Sequence, residues 1–314
     1  VYIDTNGNFL FDPTNTDSVH RDISYAVGFA SDDIFAGNFA GPNGVADGYD
    51  KLAAYGRYGG WTDGTFRWLV DLDNDGVVDI DVEDHADVNG LPVAGNFNDN
   101  LVDGDEVGLY TGTTWHFDTD GDYLVDLELP SQLRGYPVVG DFDRDGHDDL
   151  GTWADDVFSV DLAGGVANGW DGVADASFRF GFIGVRERPV AADMDQDGYD
   201  DLGLWVPDRG GMTPREAGEW YWLVSGGNSL LDRMVPSMDI VGTADQEVAF
   251  RPIPFGNDIF AQFGDEYAIP IVGNFDPPTL ATSVAKRSHT NQVNPLDVTN
   301  DGHITPRDVL AAVR

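Results

Sequence analysis

One short motif returns five times along the chain: Phe35-Ala-Gly-Asn-Phe39, Val93-Ala-Gly-Asn-Phe97, Val138-Val-Gly-Asp-Phe142, Val190-Ala-Ala-Asp-Met194 and Ile271-Val-Gly-Asn-Phe275. Self-similarity of this kind marks an architecture in which each unit buries its apolar faces against its neighbours. After the first four copies come a loop and a strand ending in an aromatic residue, Leu52 to Tyr55, Val107 to Tyr110, Leu150 to Trp153 and Leu202 to Trp205. Small residues between the large ones suit strands that neighbouring sheets approach closely. A second hairpin opens with Phe66 to Val70, Thr114 to Phe117, Val157 to Val160 or Trp220 to Val224, and returns through Val77 to Val82, Tyr123 to Leu127 or Ser177 to Gly181. Four short strands per unit, with helical periodicity nearly absent, predict an all-β propeller of four-stranded blades and exclude a βαβ sheet.

Blades are expected to start near residues 34, 92, 137, 189 and 270. Residues 1–30 look like an outer hairpin and residues 271–285 like an inner one, so that together they complete a fifth blade and remove exposed edges. The alternative is a ring of six to eight blades in a longer precursor. The motif glycine position recurs at 37, 95, 140, 192 and 273, and the last interval is the longest. Long loops or an extra hairpin on the rim are therefore expected within 207–219 and 226–262, in the fourth unit. The propeller spans 1–285, a polar linker 286–293, and a separate segment 294–314. The chain opens at Val1 with neither Met nor a signal peptide, which reads as a processed or trimmed piece.

Seventeen Lys and Arg stand against 56 Asp and Glu, a formal net charge of −39. Self-repulsion on that scale opposes compaction unless counter-ions are held, and the Lys and Arg clusters that bind phosphate are absent, which argues against nucleic acid. Disorder is argued against by 12% aromatic and 41% hydrophobic residues. With no Cys there is no disulfide stapling, and with no run of about 18 apolar residues no membrane insertion is expected.

The hairpin loops carry the chemistry. Calcium takes six to eight oxygens, and alternate carboxylates around a Gly turn supply them from one short segment. The inner loops show this at Asp141, Asp143, Asp145 and Asp149, and again at Asp193, Asp195, Asp197 and Asp201. Outer hairpins repeat the spacing at Asp71, Asp73, Asp75 and Asp79, at Asp118, Asp120, Asp122 and Asp126, and at Asp4, Asn6, Asn8 and Asp12. Asp, Asn and Gly also favour turns for their own sake. Three inner loops depart from the pattern: Lys51 stands where a last ligand belongs, the Asn96 to Glu106 loop is longer, and the loop from Asn274 lacks the acidic run. Ser225 is read as the first position of the fourth outer hairpin, so no site is expected there, and Asp161 begins a longer, Gly-rich version. Asp297, Thr299, Asp301, the His303 carbonyl and Asp308 follow EF-hand-like spacing around Gly302, with a short apolar helix after them. In an up-and-down blade both hairpin turns lie on one edge, so the metal loops share a face. The opposite face is the expected partner surface.

Residues 138–150 and their copy from Val190 resemble integrin-type FG-GAP or VCBS repeat propellers, and the tail resembles one half of a type I dockerin. The resemblance implies an extracellular structural, adhesion or surface-assembly role, with Ca2+ as cofactor. Partners would be another extracellular protein, a glycan or further copies of the chain. A carbohydrate-binding or polysaccharide-active propeller and a self-assembling fibre subunit are the competing readings, because propellers also house paired carboxylates. No Ser/His/Asp or Cys-based constellation stands out and the six His are scattered, so no enzyme is expected. Most Trp residues sit at repeated strand positions; Trp61 and Trp170 lie in loops, where they read as freer.

Overall fold

The computed structural model describes residues 1–4, 9–14, 22–24, 26–57, 65–84, 87–98, 100, 102–164, 169–182, 186–209, 217–236, 246–265 and 267–275, and the backbone of 310–313. Four consecutive antiparallel blades form a propeller-like arrangement. Asp33–Gly37, Lys51–Arg57, Phe66–Asp71 and Ile80–Asp84 make the first, and Leu91–Gly95, Glu106–Tyr110, Thr114–Phe117 and Leu127–Pro130 the second. Tyr136–Gly140, Asp149–Ala154, Val157–Asp161 and Ala176–Arg179 make the third, and Arg188–Ala192, Asp201–Val206, Ala217–Leu223 and Ile259–Asp265 the fourth. The outermost strands begin later than the apolar pattern suggests: Ile80 rather than Val77, and Leu127 rather than Tyr123. The preceding residues are taken up in the acidic turns.

The insertion in the fourth unit does not stay on its own blade. Its strands Val235–Pro236 and Gln246–Glu247 extend the third blade's sheet to six strands, and Ser229 Oγ donates to the Phe142 carbonyl at 2.9 Å. Leu230, at the start of the only helical turn among the described residues, is buried in the core between blades three and four.

A further sheet joins the two ends of the chain in the order Ile23–Ser24, Tyr2–Asp4, Leu310–Val313, Ile269–Val272. Leu310–Val313, expected as helix, is a strand with Ala311 opposite both Ile3 and Ile271. A helix this short cannot sustain itself, whereas two strand edges offer it a complete ladder. Residues 276–285, expected to supply the second inner strand, lie outside the described residues.

The core is a set of wedges between sheets. Phe35, Trp68 and Val70 of the first blade meet Val107 and Leu109 of the second, and Trp205, Trp220 and Trp222 of the fourth face Val272 of the chain-end sheet. Second strands are buried on both faces, which explains their small residues. A Cβ on Gly203 would lie 2.7 Å from the Trp222 ring. First strands of successive blades pack side by side, and Ile269–Val272 lies against both Asp33–Gly37 and Arg188–Ala192.

Candidate metal centres

Each acidic loop is first an Asx-type turn. Asp141 accepts the N–H groups of Asp145 at 3.1 Å and Gly146 at 2.9 Å, and Asp193 those of Asp197 at 3.0 Å and Gly198 at 2.9 Å. Gly146 and Gly198 sit at φ 90°, which a residue with a Cβ would adopt only under strain. The outer loops are wound the same way, with Asp71 accepting from Asp75 and Gly76, and Asp118 from Asp120, Gly121 and Tyr123.

This winding brings carboxylates together. Ligand oxygens lie within 4.8 Å of one another in four groups: Asp141, Asp143 and Asp149; Asp193, Asp195 and Asp197; Asp71, Asp73 and Asp79; Asp118, Asp120 and Asp122. Three of the four expected members converge in each loop. The remaining ones are engaged by backbone: Asp145 Oδ1 accepts from the His147 N–H, Asp75 Oδ1 from Val77, Asp126 Oδ2 from Thr119, and Asp201 from both Met194 and Ser225.

The electrostatics fit a cation. Burial is the main reason that Asp71 and Asp195 are raised to about 6 and Asp149 and Asp201 to about 8, with neighbouring carboxylates of the same loop adding to it. One buried oxygen of Asp195, Oδ1, has no hydrogen-bond partner. Hard oxygen donors crowded together and partly withdrawn from water are the donor set that calcium accepts.

Asp4 is buried and accepts from the Phe9 N–H at 2.5 Å, and the Asp12 N–H donates to Asp22 at 2.7 Å. Asn6 and Asn8 of that loop lie outside the described residues, as do Asp297, Thr299, Asp301, His303 and Asp308 of the tail.

Register corrects one position. Asp71 and Asp161 lie opposite Leu52 and Leu150, and the residue opposite Leu202 is Leu223, not Ser225. The first-position carboxylate of the fourth outer hairpin is absent either way. The Asp161 loop is an enlarged copy of the others, Asp161 accepting from Asp171 and Gly172. In the second inner loop Glu106 Oε2 caps the Phe97 N–H at 2.8 Å, as Asp149 caps Phe142 at 2.9 Å. Trp170 is not free: it is buried, donates to the Asp148 carbonyl at 3.0 Å and packs on Phe97 and Phe117. Trp61 lies outside the described residues.

The inner and outer loops of a blade touch. Asn74 takes the Leu52 N–H and donates to the Asp50 carbonyl, Asp149 accepts from Ala163, and Ser225 Oγ donates to Asp197 at 2.8 Å. Sequence reasoning missed a second acidic series beside them, Asp50, Asp105, Asp148 and Asp200, each just before a second strand. Its signal was present in the doublets Asp148-Asp149 and Asp200-Asp201.

No family model matches the chain, and no curated protein matches it. Among solved structures it is similar to BBS1N in complex with ARL6DN, soaked with lead, at a TM-score of 0.34 and 9% identity over 65% of this chain and 56% of that one. It is also similar to the V. cholerae biofilm matrix protein Bap1, at a TM-score of 0.31 and 13% identity over 64% of this chain and 38% of that one. The chain thus spans little more than half of the first and less than half of the second. Likeness at this level carries no functional argument.

Proposed function

We propose that this protein is a calcium-loaded, five-bladed propeller that works as a non-catalytic structural, adhesion or assembly module outside the cell. The observation that carries the metal reading is the convergence of three carboxylates in each of four loops at matching points of the repeat. Asp141, Asp143 and Asp149, Asp193, Asp195 and Asp197, Asp71, Asp73 and Asp79, and Asp118, Asp120 and Asp122 would hold the ions, which supply positive charge and order each loop. Such ions would offset part of the −39 charge. The chain-end sheet, lying between the first and fourth blades, supports a count of five.

Resemblance to FG-GAP and VCBS propellers supports the extracellular role. Glycan binding is the weaker alternative, since Trp170 is part of the core. A cavity of 330 Å³ lined by Gln132, Leu133, Arg134, Ala154, Val157, Ser159, Val173 and Ala174 has no aromatic platform. Calorimetry with and without EDTA, with bound metal counted by mass spectrometry, tests the reading. A melting temperature that drops on chelation and recovers with Ca2+ is expected, and an unchanged one refutes it.

A further inference from the structure

In two of the loops that lack the acidic set, a side-chain cation lies among the oxygens. In the first blade Lys51 stands opposite Gly37, as Glu106, Asp149 and Asp201 stand opposite Gly95, Gly140 and Ala192 in the next three. Lys51 is only 3% exposed. Its Nζ donates to Asn38 Oδ1 at 3.3 Å, to Asp47 Oδ1 and to the Tyr49 carbonyl. A side-chain amide, a carboxylate and a main-chain carbonyl are the kinds of oxygen that a calcium loop offers. A buried ammonium is tolerated only when such partners replace its water. Burial pushes the Asp47 carboxyl up, but hydrogen bonds from Lys51 and the Tyr49 N–H outweigh it and hold the group below its ordinary range.

The fourth outer hairpin repeats the arrangement with a different cation. Asp258 is 3% exposed and accepts from the Val224 N–H at 2.9 Å, just as Asp79 accepts from Leu72 and Asp126 from Thr119. Where the other outer loops carry a first-position carboxylate, Arg233 grips both oxygens of Asp258 at 2.8 Å. It also donates to the carbonyls of Val224 at 2.8 Å and Ala249 at 3.1 Å. A fork of this geometry matches a carboxylate in two places at once.

We propose that Lys51 and Arg233 are tethered replacements for the metal ion, so that these two loops stay closed where a chelator opens the others. The comparison rests on the calcium reading above, but the closure of each loop by its own cation does not.

Hydrogen exchange by mass spectrometry on the full chain, in Ca2+ and in EDTA, decides it. In the wild type, EDTA is expected to speed exchange at least tenfold in 141–149 and 193–201 and to leave 38–50 unchanged. In Lys51→Met, 38–50 should exchange at least tenfold faster in Ca2+ and in EDTA alike, and in Arg233→Met residues 249–258 should do the same. Wild-type 38–50 opening in EDTA together with 141–149, or Lys51→Met leaving 38–50 as protected as before, overturns the proposal. If EDTA leaves 141–149 and 193–201 untouched, the calcium reading falls, and Lys51→Met still decides whether Lys51 closes its loop.

Discussion

Asp148 Oδ2 accepts a hydrogen bond of 2.6 Å from the backbone N–H of Asn96, 52 residues earlier and one blade back. The same link recurs from Asn38 to Asp105 at 2.7 Å, from Asp141 to Asp200 at 2.9 Å and from Asn274 to Asp50 at 2.6 Å. Each residue before a second strand thus fastens the end of the preceding first strand. The four carboxylates are close enough to repel one another: burial, then Asp105 and Asp200, raise Asp148 well above the ordinary range.

Substitution should therefore separate the link from the charge. Asp148→Ala leaves the Asn96 N–H without its acceptor and should cost about 1–3 kcal/mol, read as a lower urea midpoint. Asp148→Asn keeps an acceptor and removes a repelling charge, so in EDTA its midpoint should fall no lower than that of the wild type.

The links also account for the motif glycine. A Cβ on Gly140 would stand 2.7 Å from Asp200 Oδ2, and one on Gly273 2.6 Å from Asp50 Oδ2. Gly140→Ala should destabilise by roughly 1–3 kcal/mol through overpacking, measured by denaturant unfolding at fixed Ca2+. Gly146→Ala, where no atom lies within 4 Å of the added Cβ, tests a different cost, that of φ 90°.

Metal loss should be local. Asp143→Asn in the third blade and Asp195→Asn in the fourth should each reduce bound Ca2+ by one ion per chain, counted by mass spectrometry, with the far-ultraviolet spectrum of the sheet retained. Both substitutions together should remove two, since the loops share no ligand.

Acidity should act in opposite directions with and without metal. Burial, followed by neighbouring carboxylates, raises Asp50 and Asp200 to about 7, against about 4 in an unfolded chain. A carboxyl with a higher pKa folded than unfolded binds its proton more tightly when folded. Its stabilising contribution is complete below about pH 4 and is lost as pH rises through about 7. In EDTA the melting temperature should therefore climb as pH falls from 8 to 5. In saturating Ca2+ protons compete with the ion for the loop carboxylates, and the same acidification should lower it.

Much of this architecture is legible in the residues. The recurrence of Val138-Val-Gly-Asp-Phe142 marks first strands, and aromatic residues such as Trp153 mark the ends of second strands, because both answer to packing between sheets. The acidic loops are equally plain, since Asp spacing and Gly146 are consequences of one turn. What escaped was non-local. Nothing in the sequence around Leu310–Val313 says that a strand edge awaits it, and Trp170 in a Gly-rich loop gives no sign of reaching Phe97 in another blade. Ser225 was misplaced by two residues because loop composition does not record register.

The four links all run in one sense, from the end of one sheet's first strand to the residue before another sheet's second strand, and that direction would give assembly an order during synthesis. The carboxylates of Asp105, Asp148 and Asp200 each emerge after the backbone N–H they need, at Asn38, Asn96 and Asp141, so each new blade can dock on the one already made. Asp50 alone is made ahead of its donor and must wait 224 residues for Asn274. Until then the Asp50 carboxylate lacks that donor, and Lys51, whose Nζ reaches Asn38, Asp47 and Tyr49 of its own loop, would hold that loop before residue 274 is made.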